Sequence, residues 1–139
     1  MTKTKKRWLL AGACVGILAA FAAGGWYICY TLTAHPAVRA LPSSASDLHE
    51  FYRDSGFPHY DYTYEMKARM PAEEFPAYAA RLGLRPLGNL QAHWGWWPGE
   101  LAWWDPAPSM EGTYIEQDDD SGTMAKWENG WVYVVAWST

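Results

Sequence analysis

The sequence predicts an α+β domain, a small antiparallel sheet with one helix packed on a face, preceded by an N-terminal transmembrane helix. Three observations carry that prediction: an uncharged apolar run over residues 8–33, period-two alternation in Tyr60–Arg69, and an Asn-Gly turn between two short apolar runs near the C-terminus. A chain of 139 residues has room for one domain of about 100 to 150 residues and an appendage.

Residues 1–7 form a basic tail with Lys3, Lys5, Lys6 and Arg7, and the apolar run follows it. The run exceeds the roughly 20 residues of helix that cross a bilayer. The positive-inside rule then keeps the N-terminus in the cytoplasm and exports the rest as a periplasmic or extracellular domain, a signal-anchored, single-pass arrangement at a bacterial inner membrane. Trp8 at one end and Trp26, Tyr27 and Tyr30 at the other suit interfacial aromatic belts. A cleaved leader, cut after Ala20-Phe21-Ala22 or Leu32-Thr33-Ala34, is the competing reading. Gly12, Gly16, Ala20 and Gly24 recur every four residues, which would let two such helices approach closely and associate. Cys14 and Cys29 are too far apart on one helix to bond, so the exported domain contains no disulfide.

Residues 34–46, with two prolines and three serines, read as a linker, and residues 47–139 as the domain. Asp47–Tyr52 (DLHEFY) fits a short helix or an extended edge. In Tyr60–Arg69 the aromatic residues alternate with charged ones, giving a strand with its aromatic face inward and its mixed-charge face outward. Pro71–Leu84 places Phe75, Tyr78, Ala79 and Leu82 at helical spacing, with Gly83 as terminator and Pro76 disturbing the start. Residues 112–117, 123–128 and 131–137 read as three strands. Asn129-Gly130 supplies a type I′ hairpin, and Asp118–Gly122 a longer polar turn.

All fifteen acidic residues lie after residue 40, against six basic ones there (Arg53, Lys67, Arg69, Arg81, Arg85, Lys126), leaving −9. Such a surface repels phosphate backbones, which excludes nucleic acid as a partner. The same region has eight Trp and seven Tyr but one Ile and three Val, so aromatic rings must supply much of its core. Five of those tryptophans, Trp94, Trp96, Trp97, Trp103 and Trp104, fall within eleven residues. Adjacent residues of extended chain point to opposite sides, so about half of these rings should be exposed. Exposed rings between Gly95, Pro98 and Gly99 would bind a protein, a lipid surface or a saccharide; buried ones would staple the loop to the sheet.

No cofactor or metal is expected. His35, His49, His59 and His93 are scattered, and counting an EF-hand from Asp118 puts Asn129 where the twelfth-position Glu belongs. A nucleophile signature is absent, and the expectation is a protein that is not an enzyme. The order of a basic tail, one span, LPSSASDLH, a Tyr-rich strand, PAEEFPAYAARLGL and WWDP followed by ENGWVY resembles bacterial single-pass membrane-anchored proteins with a small extracytoplasmic domain. That resemblance implies a location and no activity. The sequence therefore points to a membrane-anchored, non-catalytic binding or accessory module of the cell envelope, contacting a protein or lipid partner through its Trp-rich loop. The alternatives are an immunity-type protein that neutralises a basic toxin and an envelope hydrolase using His49, His59 or His93 with a carboxylate.

Overall fold

The computed structural model describes residues 16–17, 20–25, 33–54, 61–89, 91–92, 95–97 and 99–138. The chain divides into two compact units, Met1–Arg39 and Ala40–Thr139. In the first, residues 16, 17 and 20–25 are helical, and a helical turn α1 (Pro36–Arg39) follows. His35 starts that turn: its carbonyl accepts from Val38 N–H at 2.9 Å and its Nδ1 from Ala37 N–H at 3.2 Å.

Among the described residues no helix is long and apolar enough to cross a membrane. The transmembrane anchor, and with it the single-pass inner-membrane location and the periplasmic assignment of the domain, are not supported. Six of the eight described helical positions before residue 26 are Gly or Ala, which present little apolar surface. Gly16, Ala20 and Gly24 are helical and exposed, and their expected pairing depended on the span. Gly12, Cys14, Cys29, Trp8, Trp26, Tyr27 and Tyr30 lie outside the described residues.

The second unit is mostly β, not the expected α+β. It is one six-stranded antiparallel sheet, β1 (Ser46–Asp54), β2 (Tyr62–Arg69), β3 (Arg85–Pro86), β4 (Tyr114–Gln117), β5 (Ser121–Glu128) and β6 (Trp131–Ser138), in the order β1-β2-β6-β5-β4-β3. Two features make it so. Ser46–Asp54 takes the extended of the two forms expected around Asp47–Tyr52, as a nine-residue edge strand pairing with β2. The α-helix α2 covers only Phe75–Arg81, because a 3-10 turn (Ala72–Glu74) takes up the residues before Pro76, which sits at the start of the helix where its missing N–H does no harm. The far end closes as a Schellman motif, with Leu84 N–H on Ala79 O and Gly83 N–H on Ala80 O, both 3.0 Å, and Gly83 at φ +73°.

The meander β4-β5-β6 follows from its turns. Asn129 (φ +52°) and Gly130 (φ +88°) are both left-handed, as type I′ requires. In the other turn the Asp118 carboxylate accepts from Asp120 N–H and from both the N–H and hydroxyl of Ser121. Strand β6 lies beside β2 in an eight-pair register running from Tyr62↔Ser138 to Arg69↔Trp131.

That register assigns side chains to two faces. One carries Tyr64, Met66, Ala68, Val132, Val134, Ala136, Ala125 and Tyr114. Helix α2 covers it, Phe75 meeting the Tyr114 ring edge-on at 5.1 Å, with Tyr78 and Ala79 fully buried. The opposite face carries Lys67, Trp131, Tyr133, Val135, Trp137, Met124, Lys126 and Ile115. This second face was expected to meet solvent at β2. It is covered as well, by the segment joining β3 to β4, so Lys67 is buried where alternation alone would leave it wet.

Candidate functional site: the tryptophan loop and its cleft

The β3–β4 connection forms neither helix nor strand among its described residues between 87 and 113. Such a segment lying on a sheet brings peptide groups that have no ladder to join, and each needs another partner. Trp96 and Trp104 enter the core at 2% and 5% exposure, packing with Ile115, Met124, Tyr133, Val135 and Trp137. Their rings lie 6.2 Å apart, and Trp104 meets Tyr133 edge-on at 5.6 Å. Each indole N–H is also used, Trp96 donating to Thr113 Oγ1 at 2.8 Å and Trp104 to Trp97 O at 3.1 Å.

Two buried lysines hold the loop backbone. Lys67 Nζ donates to Trp103 O at 3.1 Å and to the Asp105 carboxylate at 2.5 Å, and lies 4.4 Å from the centre of the Trp131 ring. Lys126 Nζ donates to Ala107 O and, at 3.4 Å, to Ser109 O, while pairing with Glu128. Glu128 in turn accepts from Ala107 N–H at 3.0 Å. The two residues thus grip both sides of one loop residue from a single strand face. Burying an ammonium without partners costs several kcal/mol, which is why each lysine is surrounded by carbonyls, a carboxylate and an aromatic face.

The electrostatics follow the same contacts. The hydrogen bond from Lys67 holds the Asp105 carboxyl below the usual carboxylate range; burial works against this, and a bond from the Tyr133 hydroxyl at 2.9 Å supports it. Burial pushes the Lys126 ammonium below the usual lysine range despite Glu128 beside it, and burial with the Asp105 bond raises the Tyr133 phenol.

The expected contact residues separate accordingly. Trp96 and Trp104 are buried in the core; Trp103 is half-buried, stacked on His49 at 5.4 Å and edge-on to Trp104 at 5.9 Å. Trp97 is 68% exposed. Trp94 lies outside the described residues. Trp97 stands at the edge of an apolar cleft of about 490 Å³, whose walls also include Leu87, Ala92, Trp96, Pro108 and Met110. That volume lies within the roughly 300–1,000 Å³ usual for small-molecule sites.

Sequence reasoning missed Lys67, Lys126, Asp105 and Glu128 as loop anchors, and Leu87, Ala92, Pro108 and Met110 as walls. A signal existed only for the lysines, which share the face of Tyr133 across the sheet, one on either side of it. Of the histidines considered for acid–base work, His49 is engaged with Trp103, while His59 and His93 lie outside the described residues. Among the described residues no group of three or more His, Cys, Asp or Glu side chains is placed to hold a metal. Comparison with protein-family models, curated proteins and solved structures found no match for this chain.

Proposed function

We propose that the second unit is a non-catalytic binding domain whose contact site is Trp97 and the cleft beside it. The observation that carries this is the contrast within one dipeptide: Trp96 is locked into the core while Trp97 keeps 68% of its surface in solvent at the mouth of an apolar cleft. Leaving an indole in water costs apolar burial that the neighbouring ring obtains. A binding role accounts for that cost. The loop is also anchored at Trp103, Ala107 and Ser109 by the two lysines, so the cleft is presented largely pre-formed, which lowers the entropic cost of capturing a ligand.

The test is a nitrogen–proton NMR titration of the full-length chain with a fragment set spanning neutral, acidic, basic and sugar compounds. The indole N–H of Trp97 is assigned by its loss in Trp97→Ala. At least one fragment class should move that resonance saturably. If no fragment perturbs it, while other surface sites do respond, the assignment of this site fails.

A further inference from the structure

We infer that the cleft is selective for a neutral, planar aromatic molecule; the inference rests on the binding role proposed for Trp97. The described walls, Leu87, Ala92, Trp96, Trp97, Pro108 and Met110 together with Gly95, include no ionisable side chain and no amide or hydroxyl side chain. Among the described walls a charged ligand would find no opposite charge to replace the hydration it gives up, which costs several kcal/mol. A sugar would find too few partners there for its several hydroxyls.

Two polar atoms of these tryptophans are already committed: Trp96 spends its indole N–H on Thr113 Oγ1, and the Trp97 carbonyl accepts from Trp104 Nε1. What these walls offer a ligand is mainly ring surface, a thioether and aliphatic carbon, with the Trp97 indole N–H as a single neutral donor at the exposed rim. The exposed Trp97 indole favours offset or edge-to-face contact with a ligand ring, and Met110 adds a sulfur that suits an aromatic edge.

The position of the Trp97 ring is set from below. A Cβ added at Gly95 would come within 3.1 Å of Trp97 Nε1 and 3.2 Å of its Cε2. Glycine therefore lets the indole lie back against the backbone, and a Cβ there would shift the ring by a few tenths of an ångström. Gly95→Ala thus reshapes the cleft while deleting none of its apolar surface, whereas Trp97→Ala removes a wall outright.

The experiment titrates full-length protein with N-phenylnaphthylamine, an uncharged fluorescent ring system, and with anilinonaphthalene sulfonate, a close relative bearing a negative charge. Both are measured in about 0.5 M salt, where the Debye length shrinks to a few ångströms and the −9 charge of the domain hardly acts on the anion. The neutral probe should bind saturably at one site, and the sulfonate about tenfold or more weakly. Trp97→Ala should weaken the neutral probe about tenfold and Gly95→Ala by a smaller factor, both with little change in thermal midpoint. Equal affinity for the two probes, or neutral-probe binding that ignores both substitutions, overturns the inference. If the neutral probe does not bind but charged or sugar fragments move the Trp97 indole, the ligand class is wrong and the binding role stands. If nothing moves that indole, both fall.

Discussion

The two faces of the sheet are covered in different ways, and the difference explains where the polar residues went. On the helix face, α2 satisfies its own peptide groups, so the contact is apolar: Phe75, Tyr78 and Ala79 over a surface carrying Met66, Val132 and Val134. On the loop face the cover has no internal ladder, and the sheet must provide donors and acceptors to it. Hence Lys67, Lys126 and Glu128 sit beneath the loop, and two indole N–H groups bond within it, one of them to Thr113. An irregular cover needs a polar floor, and the same irregularity leaves a cleft that a helix would have filled.

This contrast can be broken in stages. Trp104→Ala removes the ring that joins loop to sheet and should cost about 4 kcal/mol of stability in denaturant unfolding. A loss below about 1 kcal/mol would mean that the loop is not part of the cooperative core. Lys126→Met should cost about 3 kcal/mol, because the Ala107 and Ser109 carbonyls and the Glu128 carboxylate lose their cation together. The same substitution at Arg81, on the other side of the sheet, removes a bond to Ala40 O from an exposed guanidinium and should be near neutral.

Gly122→Ala should cost about 2 kcal/mol by overpacking, since a Cβ there would fall 2.7 Å from Cη2 of Trp137 and 2.9 Å from Gln117 Cβ. The smallest effect is on acid stability. Asp105 has its folded pKa depressed, so its contribution is complete above the unfolded carboxylate pKa of about 4 and is lost as pH falls through the lower folded value. Asp105→Asn should flatten the stability profile below about pH 4 and leave its shape at neutral pH alone.

How far the sequence could be read depends on the range of each signal. The β4-β5-β6 meander was legible because alternation and an Asn-Gly turn are local, and so was the opposed orientation of Trp96 and Trp97. Asp47–Tyr52 was legible only as a choice between a short helix and an extended edge, because what selects the strand is pairing along β2, with an irregularity between Ser46 and His49. The buried state of Lys67 was invisible for a different reason. Alternation assigns a residue to a face but does not say whether that face is covered, and the cover here comes from residues some 36 to 38 positions away. The cleft was equally hidden, its walls being drawn from Leu87, Ala92, Trp96–Trp97 and Pro108–Met110. The expected membrane span rested on length, lack of charge, the basic tail and flanking aromatics; among the described residues no helix is long and apolar enough to cross a membrane.

The central claim is that one tryptophan dipeptide divides its labour, Trp96 holding the fold and Trp97 serving a ligand. Thermal unfolding of Trp96→Ala and Trp97→Ala, measured side by side on the full-length chain, tests it most directly. The account predicts a fall in Tm of about 10 °C or more for Trp96→Ala and a shift within about 3 °C for Trp97→Ala. Equal losses, or a larger one at Trp97, would contradict it.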